Sequence, residues 1–321
     1  MPESNGIELL SSALAGGLEG DSGSASVRKN AQASSLSSLL AAHDPYRSLD
    51  GRSDDVTAEE DDESRGDYTF HYLPEAKFRM WTDRGFQMLL TKWGLGESMC
   101  VGKWRFEERC PTRDAARNLV RSFFRSEKNR PALQALGISV LKPSGLEVDL
   151  VDISTTETSM AMFEKLEECG AVGRSGHIKG RLDEYVGDVV VNNLIREVFY
   201  MEESDLYDTY SAKERKEFIF RIFQHLVMGG ATNQYEDDIS EYLKATKAFL
   251  RDLVSVKKRD DGEPEVTSMV FEVTGLHDGS ARKSSSGGLF KREHTTNFCY
   301  LIVDTLMRHV TMWKFAYESV W

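Results

Sequence analysis

The side chains with the clearest capacity for chemistry are those of Ser175 and His177, a hydroxyl and an imidazole two residues apart. Three carboxylates, Glu236, Asp237 and Asp238, follow further along the chain and have the chemistry of general acids and bases. Nucleophilic catalysis needs a base aimed at the nucleophile and a third group that orients the base. An enzyme with a pocket formed by Ser175, His177 and Glu236 therefore requires that the fold bring these groups together.

A structural role for the same residues is favoured. The glycine-x-serine-x-glycine elbow of serine hydrolases is absent from the chain. Ser175, Gly176 and His177 lie in a glycine-bearing segment, and we expect them to structure a loop. Carboxylates that precede an apolar periodic run are typical of a helix N-terminus, where the helix dipole favours negative charge. We therefore predict no catalytic residue.

Nucleotide and metal sites are not predicted either. The phosphate-binding pattern of glycine, four residues, glycine, lysine and serine or threonine is absent, and residues 287–292 resemble it only superficially. No two cysteines are separated by the two or four residues typical of zinc sites; the four are Cys100, Cys110, Cys169 and Cys299. We expect free thiols in a reducing compartment, no metal and no cofactor.

Two groups of residues favour the binding of a partner. Arginines recur every four residues on one predicted helix, at Arg113, Arg117, Arg121 and Arg125. This strip is either a solvated face or a dock for an acidic partner segment. A second polar group falls in a turn between two predicted helices and consists of Gln234, Tyr235, Glu236 and Asp237. It either locks the helix pair or offers a corner for recognition.

Composition divides the chain at about residue 67. Residues 1–67 carry 14 acidic and 5 basic side chains, a net charge of −9 in a chain of −12. Their low apolar content predicts a disordered acidic leader. We expect residues 68–321 to form a single domain with a mobile loop at 275–297. A nearly neutral body without a basic stripe argues against nucleic acid, and no apolar run is long enough for a membrane span.

Residue periodicity predicts the secondary structure of this domain. Helices are expected over residues 74–93, with Pro74 in the first turn, and over 111–126, 156–169, 186–199, 214–228 and 236–253. Strands are expected over residues 68–73, 97–106, 138–141, 146–153, 253–258, 266–273, 298–303 and 310–315. Ser211 and Glu214 have the spacing of a capping box that starts the helix ending at Gly229. These elements predict an α+β fold, a largely antiparallel sheet with packed helices.

The central helices also carry a family resemblance. The run from Phe223 to Ala231, followed by Gln234 to Asp237, resembles the cilia- and flagella-associated protein 300 family. Residues 242–247 and 252–258 continue this similarity, which extends unevenly over residues 68–317. The matched run contains no catalytic signature.

The resemblance implies a function that the residues alone do not. Members of this family are implicated in cytoplasmic assembly of outer and inner axonemal dynein arms. It implies a non-enzymatic assembly or transport factor in the cytoplasm and the motile cilium or flagellum. Implied partners are dynein arm assembly factors such as kintoun and axonemal dynein components, with no small-molecule substrate. A constitutive structural subunit of the axoneme is the alternative within this class.

Overall fold

A six-stranded antiparallel sheet lies at the centre of the computed structural model, which describes residues 68–139, 145–259, 264–278 and 288–319. The strands of the protein are β1 (Phe70–Tyr72), β2 (Met99–Phe106), β3 (Leu146–Ile153), β4 (Gly180–Val186), β5 (Val189–Asn193), β6 (Val256–Lys258), β7 (Pro264–Val266), β8 (Met269–Asp278), β9 (Phe298–Asp304) and β10 (His309–Phe315). The main sheet has the order β1–β2–β10–β9–β8–β3, and β4–β5 and β6–β7 form separate two-stranded sheets. The predicted α+β class with a largely antiparallel sheet is confirmed.

Helices cover both faces of this sheet. The α-helices are α1 (Arg79–Thr82), α2 (Arg84–Lys92), α3 (Arg113–Arg125), α4 (Arg130–Ala135), α5 (Lys165–Glu168), α6 (Leu194–Tyr200), α7 (Phe218–Met228) and α8 (Ile239–Leu253). Strand β9 shows why both faces are covered, because all seven of its residues are buried. Alternate side chains of a strand point to opposite faces, so an entirely buried strand needs packing on each side.

One hydrophobic cluster joins the sheet to α7 and α8. Phe298, Tyr300 and Ile302 of β9 point into it, together with Trp313 of β10. The ring of Phe249 in α8 lies 5.3 Å from that of Trp313. Helix α7 is buried along nearly its whole circumference. It is therefore the central helix of the protein.

A second cluster occupies the opposite face of the sheet. The intervening residues of β9, Cys299, Leu301 and Val303, pack there against α3. The Phe123 ring of α3 meets that of Trp104 edge to face at 4.7 Å. The apolar stripe predicted for residues 111–126 is thus the buried face of α3. The fold has three layers, helix, sheet and helix.

The predicted helix over residues 186–199 is wrong in its first half. Gly187 has a φ of +62°, and the chain turns there between β4 and β5 instead of entering a helix. The β-branched residues 189–191 then pair in β5, and α6 begins only where the Asn193 side chain accepts a hydrogen bond from Arg196 N. Apolar residues in a short run fit both periods, so the pattern did not separate strand from helix.

Several element boundaries also differ. Ser211 and Glu214 do form a capping box, but it lies at the start of a 3₁₀ turn (Glu214–Lys216). Helix α7 starts after Glu217. The expected helix over 74–93 starts only at Arg79, since residues 74–78 are turn and irregular structure, and it is divided at Asp83, whose carboxylate caps α2. Instead of a helix from residue 156, a 3₁₀ helix starts at Met160 with Ser159 as its cap.

The predicted C-terminal hairpin is also revised. Strand β6 pairs with the short β7, whereas β8 joins the main sheet between β9 and β3. Strand β8 continues to Asp278, so the first residues of the predicted loop 275–297 are a strand. Residues 279–287 of that loop, the leader 1–67 and residues 140–141 of the predicted strand 138–141 lie outside the described residues, and residues 138–139 are not a strand.

Candidate functional site

The turn after α7 is built by close backbone contact with the end of α2. Gly230 N donates a hydrogen bond of 2.8 Å to Trp93 O, and Gln234 N donates one of 2.8 Å to Lys92 O. A Cβ atom on Gly230 would overlap the carbonyl group of Gly94. Glycine is required here because two backbones approach each other, a reason that differs from its ability to end a helix.

The C-terminal carbonyls of α7 are capped by a buried arginine. Arg196 is 3 % exposed, and its guanidinium donates to Val190 O at 2.6 Å and to Met228 O at 2.6 Å. It also lies 4.2 Å from the centre of the Tyr235 ring, whose hydroxyl accepts a hydrogen bond of 3.1 Å. Burial lowers the pKa of Arg196. The positive charge is compensated by the negative end of the helix dipole.

Glu236 joins this corner to α2. Its carboxylate accepts hydrogen bonds from Trp93 Nε1 at 2.9 Å and from Lys92 Nζ at 2.8 Å, and its side chain is 12 % exposed. Its backbone N donates to the hydroxyl of Tyr242 in α8. Burial is the main cause that raises the pKa of Tyr242 to about 12. Both carboxylate oxygens of Glu236 therefore have structural hydrogen-bond partners.

The loop of Ser175, Gly176 and His177 meets the start of α8 through its backbone. Ile239 N donates to Gly176 O at 3.0 Å, and Ile178 N donates to Asp237 O at 2.8 Å. Gly176 has a φ of +87°, and a Cβ there would lie 2.7 Å from a carboxylate oxygen of Asp238. That carboxylate caps α8, and its hydrogen bonds with Ser240 are the main cause of its lowered pKa.

These contacts bring the Ser175 loop near the carboxylates without a catalytic arrangement. The side chains of Ser175 and His177 are exposed and share no hydrogen bond among the described residues. A neighbouring cleft of about 760 Å³ is lined by Glu164, Glu167, Glu168, Gly170, Val172, Gly173, Arg174 and Lys179. Ser175, His177 and Glu236 are not part of this lining.

The four arginines of α3 do not form a uniform positive strip. Arg113 and Arg117 both bind Asp152 at the end of β3, at 2.7 Å and 2.5 Å. Burial alone would raise the pKa of Asp152, but the hydrogen bonds from Arg117 and Arg113 outweigh it and lower the pKa. Arg121 donates to Asn118 in its own helix, and Arg125 donates to Leu146 O. Half of the strip is thus neutralised within the chain.

Two functional side chains of this region escaped sequence analysis, Arg196 and Glu217. The Glu217 carboxylate is buried and accepts hydrogen bonds from Ser154 Oγ, Thr156 Oγ1, Thr156 N and the backbone N of Glu157. A charged residue directly before or within a dense apolar run is the signal that could have revealed both. Such a side chain must find internal partners when the run is buried.

The described residues include neither a metal-binding cluster nor a membrane-spanning helix. They contain no group of three or more histidine, cysteine, aspartate or glutamate side chains placed to hold a metal ion. Within the same ranges, no helix combines the length and apolar character needed to cross a membrane.

Comparison with known proteins relates this geometry to a family. Residues 67–315 match the family described as cilia- and flagella-associated protein 300. A protein of that name from Chlamydomonas reinhardtii is 28 % identical over 239 residues, 72 % of this chain and 91 % of the relative. One from Paramecium tetraurelia is 26 % identical over 242 residues, 74 % of this chain and 90 % of the relative. No solved structure matches. This chain belongs to the cilia- and flagella-associated protein 300 family.

Proposed function

We propose that this cilium- and flagellum-associated protein is a non-enzymatic factor for the assembly or transport of outer and inner axonemal dynein arms. The single observation that carries the proposal is membership of the family over residues 67–315. The family resemblance implies that the protein functions in the cytoplasm and in the motile cilium, with kintoun-like assembly factors and dynein components as partners.

The side-chain contacts support a binding role over catalysis. Glu236 is bound by Trp93 and Lys92, and the Ser175 and His177 side chains are exposed and share no hydrogen bond among the described residues. An enzyme would need a base directed at its nucleophile. The competing proposal, an enzyme using Ser175, His177 and Glu236, would require the release of both hydrogen bonds to Glu236.

Partner contact is proposed for the exposed part of the arginine strip and for the corner residues Gln234, Tyr235 and Asp237. Among the described residues, Arg121 has a hydrogen-bond partner only within its own helix, so charge reversal there is compatible with an intact fold. In contrast, Arg117→Glu would set a carboxylate against Asp152 and would weaken the attachment of α3 to β3.

Loss of the protein in a flagellated cell tests this function. We expect electron microscopy of axoneme cross-sections to show missing outer and inner arms on an intact ninefold axoneme. Dynein arm subunits should also fail to assemble in the cytoplasm. Re-expression of the normal chain should restore the arms, and Arg121→Glu should restore them less well.

Two results would contradict the proposal. Normal arms after complete loss of the protein would exclude a role in their assembly. A protein as abundant as the axonemal subunits, and retained with them through high-salt extraction, would instead identify a constitutive structural component. Full rescue by Arg121→Glu would remove only the arginine strip from consideration.

A further inference from the structure

A second cationic surface lies at one end of the main sheet, away from the arginines of α3. Strand β2 alternates there, with Trp104 and Phe106 buried against α3 and with Lys103 and Arg105 on the opposite face. Across the sheet, Arg105 pairs with His309 at the start of β10. We call Lys103, Arg105, Arg308, His309 and the adjoining β9–β10 turn the β2–β10 end.

Helices cover only part of this face of the sheet. At the other end of the same two strands, Met99 and Trp313 are buried in the cluster of α7 and α8. Along β2 towards Phe106, the residues on this face change from apolar to cationic, and Arg105 is exposed. A face of a sheet that changes from packed apolar to exposed charged residues is accessible to a partner.

The β9–β10 turn presents two large apolar side chains beside these cations. Leu306 is 69 % exposed and Met307 is 63 % exposed. The backbone of the turn is held by Asp304, whose Oδ1 accepts hydrogen bonds from Leu306 N at 3.0 Å and Met307 N at 2.9 Å. Arg308 has a φ of +52° and donates to Glu107 O at 2.7 Å. Little conformational entropy remains to be lost when a partner binds this turn.

The charge of the β2–β10 end is opposite to that of the whole chain. Glu107 is an exposed carboxylate beside these cations, and it interacts with His71 at 2.7 Å and with Arg105 at 4.0 Å. Asp304 is buried, and its carboxylate accepts hydrogen bonds from the turn. Burial is the main cause that lowers the pKa of His309; Lys103 and Arg105 lower it further, whereas Asp304 raises it. The positive charge of this surface therefore comes from Lys103, Arg105 and Arg308, in a chain of net charge −12.

We propose that the β2–β10 end docks an acidic protein segment that also carries apolar side chains. Lys103, Arg105 and Arg308 would contact its carboxylates, while Leu306 and Met307 would pack against its apolar residues. Complementary charge would give specificity, and the apolar pair would supply buried contact area. This inference goes beyond the proposed function, because it holds for any partner of this chemistry and does not depend on dynein arms.

A binding assay with the full chain tests the chemistry of the surface. The probe is a fluorescein-labelled 16-residue peptide of glutamate, leucine and serine, and binding is followed by anisotropy. Lys103→Gln with Arg105→Gln should weaken binding about fivefold, within the range of exposed ion pairs. Leu306→Ser with Met307→Ser should weaken it about tenfold. Lys213→Gln with Lys216→Gln removes the same charge elsewhere and should have no effect.

The salt concentration and the composition of the peptide separate the ionic from the apolar contribution to binding. Added salt should weaken binding to the normal chain and to the double serine variant, but should affect the double glutamine variant less. Circular dichroism checks folding. Should the double glutamine variant fail to fold, Arg308→Asn replaces it, since asparagine tolerates a positive φ, and about twofold weaker binding is expected. Equal binding of a peptide of glutamate and serine alone would overturn the proposal, as would unchanged binding in the variants.

Photo-crosslinking in flagellated cells identifies the natural occupant. Met307→p-benzoylphenylalanine places the reactive group on the turn, and mass spectrometry locates the crosslinked residues. Crosslinks to an acidic, leucine- or valine-containing protein segment are expected, and they should decline with Arg105→Gln. Crosslinks to a second copy of this chain, to nucleic acid or to a basic segment would overturn the proposal.

Discussion

Replacement of Arg196 tests whether one guanidinium holds the corner between α6, α7 and the turn after α7. Arg196→Met keeps most of the side-chain volume and removes every donor. Val190 O would lose a bond of 2.6 Å. Val227 O and Met228 O would lose bonds of 3.3 Å and 2.6 Å but would keep those from Asn233 Nδ2 at 3.2 Å and 3.0 Å. Because these carbonyl groups lie in a largely buried region, water replaces the lost donors poorly.

The magnitude follows from these contacts. Loss of a donor to a buried carbonyl group costs about 1–3 kcal/mol. Asn233 still donates to two of the three carbonyl groups, Val227 O and Met228 O, which limits the total loss. Loss of the Tyr235 stacking contact adds about 0.5–1 kcal/mol. Relief of the buried charge offsets part of this cost. We expect Arg196→Met to lower the free energy of unfolding by about 3 kcal/mol.

Urea unfolding followed by circular dichroism measures this change. Arg196→Lys keeps the charge but has one nitrogen in place of the fork, so we expect a loss of about half that size. Arg121→Met is the matched control, since within the described part of the chain its guanidinium donates to Asn118 alone, and we expect a change within about 0.5 kcal/mol. A loss below about 1 kcal/mol for Arg196→Met, or equal losses for lysine and methionine, would refute the reasoning.

Three other predictions concern the interior. Gly230→Ala should destabilise the protein by more than about 3 kcal/mol in urea unfolding, because its Cβ would lie 2.0 Å from the carbonyl oxygen of Gly94. Gly96→Ala should be milder, because its Cβ would come no closer than 3.1 Å to the neighbouring Thr91, and equal losses would contradict this. Burial lowers the pKa of His225 well below 6.5, so at pH 5.5 the unfolded chain binds a proton that the folded protein does not. The free energy of unfolding should therefore fall by about 1.4 kcal/mol when the pH is lowered from 7.5 to 5.5. His225→Gln should remove that part of the pH dependence, and an unchanged slope would oppose it. Glu217→Gln should cost about 2 kcal/mol in thermal or urea unfolding, since its amide nitrogen faces donors of residues 154–157, and a neutral result would argue against these bonds.

Much of the fold was accessible from local sequence pattern. The apolar runs of β9 and β10 and the stripe of α3 require burial whatever their partners are, so their types and approximate limits were confirmed. The prediction of a helix over residues 189–191 was wrong because three consecutive valines suit a strand and also continue the periodicity of α6. Only the turn at Gly187 and the cap at Asn193 separate the two elements.

The sheet order and the candidate site depend on contacts between distant residues. The pairing of β2 with β10 joins segments about 200 residues apart, and no local pattern specifies it. Sequence analysis identified Gln234 to Asp237 as a polar corner but could not assign Glu236 to Trp93 or Tyr235 to Arg196. Those assignments require the relative positions of α2, α6 and α7, which packing alone determines.

The position of β10 in the sheet has a consequence for synthesis of the chain. Strand β10 lies between β2 and β9, although it is the last of the described strands to be made. About 200 residues separate β2 from β10, so at typical translation rates β2 waits roughly 10 to 40 s for this neighbour. During that time its apolar residues and one hydrogen-bonding edge lack their final partners, a state prone to aggregation. Nascent chains should therefore depend on molecular chaperones, and truncations that remove residues 309–315 should leave the sheet in two separate parts.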